Sequence, residues 1–190
     1  MEKILVAVLI SGNGSNLQAL IDDISQDALH PARLALVISN KPDAYGIQRA
    51  IKAGIAVRII SHKDYAMRDA YDAVLQKTLE EFGIEFVCLA GFMRLLSAGF
   101  AIAWAGRMLN IHPSLLPAYK GLDTHARVLA DGASVTGCTV HYVVPEMDAG
   151  AVLLQEIVPV LIDDTPQSLA DRVHSAEHRV YPRALRMALL

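Results

Sequence analysis

Two polar residues end an apolar run in the segment Asn110-Ile111-His112-Pro113-Ser114-Leu115-Leu116-Pro117. Side chains alternate between the two faces of a strand, so Asn110 and His112 are predicted to share one face, with Ile111 on the other. Pro113 ends the strand directly after the histidine. The pattern predicts two hydrogen-bond donors at the carboxyl end of a core strand, where open α/β sheets bind ligands. The alternative is a structural histidine whose hydrogen bonds are all satisfied internally.

A second candidate site follows the first apolar run, in Ser11-Gly12-Asn13-Gly14-Ser15-Asn16. Glycine allows a ligand to approach the backbone closely, and the free amides at the start of a helix attract phosphate. The segment lacks the Gly-Lys-Ser/Thr of a Walker loop and the third glycine of the dinucleotide fingerprint. A phosphate site and an ordinary turn with a Ser or Asn cap both remain open. In the first case, a bulky residue at Gly14 is expected to block the phosphate selectively.

Three further features have weaker signals. Asp148 precedes Ala149 and Gly150, a sequence typical of turns, so the residue that it contacts decides its role. His174-Ser175-Ala176-Glu177-His178 matches a zinc-protease spacing, but only 12 residues follow it in this sequence, so a metal site is not expected. Ser114 lacks the Gly-x-Ser-x-Gly turn of a serine nucleophile.

The sequence around these residues predicts an α/β fold, because short apolar runs alternate with segments of helical period. The runs contain few polar residues, which is typical of parallel strands buried on both faces. A helix is predicted from Asp69 to Phe82, and a last helix begins at Thr165-Pro166, with Asp164 or Thr165 as its cap. The predicted parallel strands are Ile4–Ile10, Arg33–Ser39, Val57–Ser61, Phe86–Ala90 and Met108–Ile111. Two closely spaced strands, Cys138–Val144 and Ala151–Val160, predict an antiparallel extension.

Composition limits the classes of function. The chain has 190 residues, of which 53% are hydrophobic, so one substantial core in one domain spanning residues 1–190 is expected. The net charge of −3 argues against nucleic acid as a partner. The first apolar run is too short for a membrane span and lacks a cleavage site, which predicts a cytoplasmic protein without membrane contact. Cys88 and Cys138 lie within apolar runs and are expected to be buried free thiols.

Taken together, the motifs resemble the glycinamide ribonucleotide formyltransferases, which are folate-dependent enzymes of purine synthesis. The resemblance spans nearly the whole chain. Its most specific segments are Ile10–Leu17, Leu89–Arg94, Asn110–Pro117 and Met147–Gly150. The block at Asn110–Pro117 is shared with other formyl-folate enzymes, whereas the Gly-Asn-Gly-Ser-Asn loop is typical of the ribonucleotide enzymes.

The resemblance implies a Rossmann-like formyltransferase fold with a mostly parallel sheet. The ribonucleotide phosphate site would lie in the amino-terminal half and the folate cleft in the carboxyl-terminal half. It implies a catalytic group formed by Asn110, His112 and Asp148. The implied ribonucleotide-binding residues are Gly12, Asn13, Gly14, Ser15, Asn16 and Glu177. The implied folate-binding residues are Arg68, Met93, Arg94, Leu95, Leu96, Asn110 and Val143. The co-substrate would be 10-formyltetrahydrofolate, without a metal, in a monomer or a homodimer.

The implied chemistry is direct attack of the glycinamide amine on the formyl carbon. Asn110 and a protonated His112 would stabilise the oxyanion. Asp148 would favour the imidazolium and hold a water that relays a proton to the leaving nitrogen. Three rival functions are a formyltetrahydrofolate hydrolase, a transformylase acting on charged initiator tRNA, and a nucleotide-binding module without turnover.

Overall fold

The computed structural model describes residues 2–190, so Met1 of the predicted domain lies outside the described residues. A seven-stranded sheet has the order β3-β2-β1-β4-β5-β6-β7. Its strands are β1 (Ile4–Ile10), β2 (Ala32–Ser39), β3 (Ala56–Ile59), β4 (Phe86–Leu89), β5 (Met108–His112), β6 (Val135–Tyr142) and β7 (Val152–Pro159). The first five strands are parallel, and β6 and β7 are antiparallel to their neighbours. The predicted α/β fold and its antiparallel extension are therefore confirmed.

Helices cover both faces of the sheet. They are α1 (Ser15–Gln26), α2 (Gly46–Lys52), α3 (Arg68–Glu81), α4 (Ala98–Ala103), α5 (Thr124–Ala130) and α6 (Pro166–Ala188), with a short 3-10 helix at His62–Asp64. Residues of β1 alternate between two cores: Val6, Val8 and Ile10 pack with α1 and α6, whereas Ala7 and Leu9 pack with α3 and α4. This burial on both faces explains why the run contains no polar residue.

Strand order brings the candidate motifs to one edge. The chain passes from β1 to β2 and β3 on one side, then returns to place β4 on the other side of β1. Such a switch point leaves a crevice beyond the carboxyl ends of the strands. The glycine loop follows β1, the segment Gly91–Leu96 follows β4, and Asn110 and His112 are the last polar residues of β5.

The ends of the elements differ from the predictions by a few residues. The strand predicted at Cys138–Val144 runs from Val135 to Tyr142, and the helix predicted at Asp69–Phe82 runs from Arg68 to Glu81. Cys88 and Cys138 are free and buried, and burial raises the pKa of each thiol to about 12. Within residues 2–190, no helix is both long and apolar enough to span a membrane.

A capping box begins the last helix. Thr165 Oγ1 accepts a hydrogen bond from the Ser168 amide, and Ser168 Oγ accepts one from the Thr165 amide. Thr165 is thus the cap, and Asp164 instead pairs with Arg172.

Thr165→Ala is expected to lower the free energy of unfolding by about 1 kcal/mol, because it leaves the amide of Ser168 without its partner. Urea unfolding measures the loss. Ser175→Ala, which removes an exposed hydroxyl from the middle of the same helix, is the matched control. Equal losses in the two variants would contradict a specific contribution of the cap.

Candidate active site

The glycine loop enters α1 without a side-chain cap. Gly14 is the N-cap residue in the left-handed conformation, with φ of 74°, and no side chain bonds to the first-turn amides. The alternative of a Ser or Asn cap is therefore wrong. Gly12 and Asn13 are exposed. The loop presents uncapped amides at the positive end of a helix dipole, which is the arrangement that attracts anions.

Helix α2 supports this loop from behind. The Gly46 amide donates to the carbonyl of Gly12 at 3.0 Å. A Cβ on Gly14 would lie 2.6 Å from Gly46 Cα, whereas a Cβ on Gly12 would meet no atom within 4 Å. The expectation that a bulky residue at Gly14 blocks only the phosphate is thus wrong, because any side chain there displaces α2. At Gly12, in contrast, a side chain would extend into open space without displacing any other residue.

Two of the implied ribonucleotide residues are in direct contact. Asn16 Nδ2 donates to Glu177 Oε2 at 2.7 Å, and both side chains are buried. Burial raises the pKa of Glu177, and the hydrogen bond from Asn16 partly opposes this effect. The contact joins the start of α1 to α6.

The HSAEH segment lies in the middle of α6. Among residues 2–190, no group of three or more His, Cys, Asp or Glu side chains has metal-binding geometry. Burial, His174 and Arg49 lower the pKa of His178, in that order of effect. Glu177 within the segment contacts Asn16, so the segment lies beside the start of α1.

The three residues implied for catalysis lie together at the carboxyl end of β5. His112 Nδ1 is 3.4 Å from Asp148 Oδ2, and both side chains are at least nine-tenths buried. Asp148 has a φ of 51° and accepts a hydrogen bond from the Gly121 amide at 2.9 Å. Ile111 packs on the opposite face with α6, as the alternation along the strand predicts.

His112 is held at both ring nitrogens. Its Nε2 lies 2.9 Å from the carbonyl oxygen of Tyr119, which can only accept, so Nε2 carries a hydrogen. Its Nδ1 faces the Asp148 carboxylate. Each ring nitrogen therefore faces an acceptor oxygen. In this structure His112 Nε2 donates to the Tyr119 carbonyl.

His141 also belongs to this group, although no sequence motif indicates it. It lies opposite Asn110 in the β5–β6 pairing, and its Nε2 is 3.2 Å from Asn110 Nδ2. Its Nδ1 is 2.9 Å from the carbonyl oxygen of Tyr142, so Nδ1 carries the hydrogen and Nε2 accepts from the amide. Burial lowers the pKa of His141, which favours this neutral form. Asn110 is thereby oriented with one N–H bonded and the other free.

The residues implied for folate binding lie on several segments: residues 93–96 follow β4, and Val143 follows β6, where its amide donates to the carbonyl of Met108 at the start of β5. Met93 and Leu95 are exposed, and Arg68 is the exposed first residue of α3. Leu96 and Val143 are partly buried against the core beneath α3 and α4. Arg94 stacks on the ring of Tyr71 at 5.1 Å. The exposed apolar residues provide a surface on which a flat aromatic ligand could pack.

One serine connects the two halves of the edge. Ser11 Oγ accepts a hydrogen bond from the Met93 amide at 2.8 Å and donates to Asn40 Oδ1 at 2.6 Å. Ser11 is 4% exposed, so this link is shielded from water. The glycine loop and the segment after β4 are therefore held in a fixed relation.

The sequence matches one known protein family over nearly its whole length. The sequence profile described as Formyl transferase matches residues 4–185. The chain belongs to the formyl transferase family. It is 46% identical over 177 residues to the phosphoribosylglycinamide formyltransferase of Escherichia coli, covering 93% of this chain and 83% of that protein.

The chain is also similar to part of a longer protein and to solved structures. The chain is 52% identical over 186 residues to the human trifunctional purine biosynthetic protein adenosine-3, covering 98% of this chain but only 18% of that protein. The crystal structure of phosphoribosylglycinamide formyltransferase from Brucella melitensis superposes with a TM-score of 0.93 at 45% identity, covering 99% of this chain and 96% of that one. Glycinamide ribonucleotide transformylase 1 from Symbiobacterium toebii gives 0.95 at 45% identity, covering 98% and 88%.

Proposed function

We propose that the protein transfers the formyl group of 10-formyltetrahydrofolate to the amine of glycinamide ribonucleotide, a step of de novo purine biosynthesis. Family membership and the names of the similar proteins support the reaction class. The observation that carries the proposal is the position of an uncapped anion loop and the Asn110–His112–Asp148 group on one sheet edge. A hydrolase acting on the folate alone has less need of the anion loop.

The acceptor binds at the start of α1 in this proposal. The backbone amides of the loop hold the phosphate, because they are uncapped and lie at the positive end of the helix. Glu177, held by Asn16, accepts from a polar group of the ribonucleotide. The binding residues are Gly12, Asn13, Gly14, Ser15, Asn16 and Glu177.

The formyl donor binds across the segment after β4. Exposed Met93 and Leu95 pack against its ring system, and Arg68 and Arg94 attract the carboxylates of its glutamate. Leu96, Val143 and Asn110 complete the cleft. The formyl group then lies next to the end of β5.

The reaction forms a carbon–nitrogen bond and breaks another. The uncharged amine attacks the formyl carbon, and the carbonyl oxygen gains negative charge. The free N–H of Asn110 donates to this oxygen, and the positive charge of His112 stabilises it. As the intermediate collapses, the bond between the formyl carbon and the folate nitrogen breaks, and that nitrogen receives the proton that the amine loses.

Asp148 performs two tasks in this scheme. Its carboxylate stabilises the His112 imidazolium at 3.4 Å. Its other oxygen, Oδ1, lies 3.7 Å from His141 Nε2. This oxygen can accept a hydrogen bond from a water that carries the proton from the attacking amine to the leaving folate nitrogen. No covalent bond to the protein forms, and the reactive carbon comes from the co-substrate.

The test mixes the protein with 10-formyltetrahydrofolate, with and without glycinamide ribonucleotide. We expect deformylated folate and formylated ribonucleotide to appear in equal amounts, and only when the ribonucleotide is present. Release of formate without ribonucleotide would identify a hydrolase. Formylation of charged initiator tRNA would identify a tRNA transformylase, and ribonucleotide binding without transfer would identify a nucleotide-binding module.

Gly12→Val tests the anion loop. The Cβ at this position points into open space, so the variant is expected to fold normally and to block the phosphate. The KM for ribonucleotide should rise roughly tenfold or more, which corresponds to about 1.4 kcal/mol, while binding of a folate analogue stays within a few-fold. Separate titrations of the two ligands measure this.

Gly14→Val is the comparison variant, because its side chain would meet Gly46 Cα and force a change in the backbone. This variant should have a lower Tm and should bind both ligands more weakly. Equal loss of both ligands in folded Gly12→Val would show that the loop is only a structural turn.

A further inference from the structure

Arg49 on α2 holds the glycine loop at two points. Its Nε donates to the carbonyl oxygen of Asn13 at 2.9 Å, and its Nη2 donates to Asn13 Oδ1 at 2.9 Å. Its Nη1 reaches Gln18 Oε1 on α1 at 3.3 Å, and the guanidinium stacks over Tyr45 at 4.9 Å. A planar group with all three nitrogens engaged is fixed in position and orientation.

These contacts determine where the loop amides point. The carbonyls of Gly12 and Asn13 are both turned toward α2, one by the Gly46 amide and one by Arg49. In a planar trans peptide the N–H of the next residue points opposite to the carbonyl. The amides of Asn13 and Gly14 therefore point away from α2. Consecutive amides directed to one side form an anion-binding concavity.

Arg49 also contributes charge. Among residues 2–190, none of the eight ion pairs includes Arg49, so no carboxylate lies within 4 Å of its guanidinium. Its side chain is only partly exposed, so its charge is less screened than that of a surface arginine. An uncompensated positive charge behind the loop favours an anion in front of it.

We propose that Arg49 is the positioning residue of the phosphate site: by holding both oxygens of Asn13, it directs the loop amides toward the ligand and selects a phosphorylated acceptor. The inference rests on the proposed function, since it assumes that the loop holds the phosphate of the ribonucleotide. Arg49 acts through the loop and does not itself touch the reacting atoms. Its contribution is therefore to ligand binding and not to the rate of the chemical step.

The test compares Arg49→Met with Arg58→Met. Arg58, on β3, also has no carboxylate partner in the described part of the chain and stacks on Phe82, so its replacement gives the same change in net charge away from the loop. Isothermal titration with glycinamide ribonucleotide and with its dephosphorylated riboside separates the phosphate from the rest of the ligand. Ribose 5-phosphate and ribose form a second pair that does not depend on the identity of the acceptor.

Arg49→Met is expected to lower the affinity for the phosphorylated ligands roughly tenfold or more and to change the affinity for the dephosphorylated ligands less than about twofold. The kcat at saturating substrate should stay near normal. Arg58→Met should change none of these. Arg49→Lys keeps the charge but cannot hold both oxygens of Asn13, so its affinity for phosphorylated ligands should be intermediate.

Equal losses for phosphorylated and dephosphorylated ligands would overturn the inference, because they indicate a structural role only. A loss no larger than that of Arg58→Met would do the same. Failure of the proposed function gives a different result. In that case ribose 5-phosphate binds in an Arg49-dependent way, but the wild-type protein transfers no formyl group to the ribonucleotide.

Discussion

Asn110→Ala is expected to lower kcat by roughly a hundredfold or more, which corresponds to about 3 kcal/mol of transition-state stabilisation. The amide of Asn110 gives one N–H to His141 and keeps the other free at the end of β5. A bond from this free N–H strengthens as negative charge develops on the formyl oxygen, so the loss falls on kcat and not on KM.

Single-turnover kinetics at saturating concentrations of both substrates measures the effect. Titration with a folate analogue provides the control, since its affinity should stay within a few-fold of that of the wild type. A kcat reduced less than about tenfold would remove Asn110 from the oxyanion site.

His141 provides a second check on the same amide. Replacing it with phenylalanine removes the acceptor that orients Asn110 but leaves Asn110 present, so kcat should fall by less than in Asn110→Ala. A larger fall would show that His141 contributes more than the orientation of Asn110.

The sheet could be predicted from sequence to within a few residues, because the strands are buried on both faces. The run Ile4–Ile10 contains no polar residue, and its predicted limits are those of β1. Helices α2, α4 and α5 were not predicted, since each has only six or seven residues and completes about two turns. A periodic pattern cannot be recognised over so short a length.

The catalytic group could be predicted only in part, for a related reason. Asn110 and His112 share a strand, so alternation alone places them on one face. His141 reaches them across the β5–β6 pairing, and nothing local in the sequence fixes which residue of β6 lies opposite Asn110. The role of Arg49 depends in the same way on the packing of α2 behind the loop.

The effect of a side chain on glycine was predicted incorrectly at Gly14 because tertiary packing decides it. Both Gly12 and Gly14 follow β1 and look equivalent in the sequence. Only the approach of Gly46 to within 2.6 Å of a Cβ on Gly14, against open space at Gly12, distinguishes a structural glycine from one that faces the ligand.

Asp148→Asn is expected to lower kcat by roughly a hundredfold or more, because general acid–base groups typically contribute at least that much. Asparagine is the appropriate substitution, since Asp148 has a φ of 51° and asparagine tolerates the left-handed conformation. Its amide oxygen can still accept from the Gly121 amide. The variant therefore keeps the shape of the loop and loses the negative charge.

Single-turnover kinetics with both substrates at saturating concentrations measures this loss. A folate analogue and the ribonucleotide should each bind within a few-fold of the wild type, because the loop keeps its shape. The carboxylate of Asp148 lies 3.4 Å from His112 Nδ1, next to the proposed oxyanion. A kcat reduced less than about tenfold in a variant that binds both ligands normally would therefore contradict a catalytic role for the charge of Asp148.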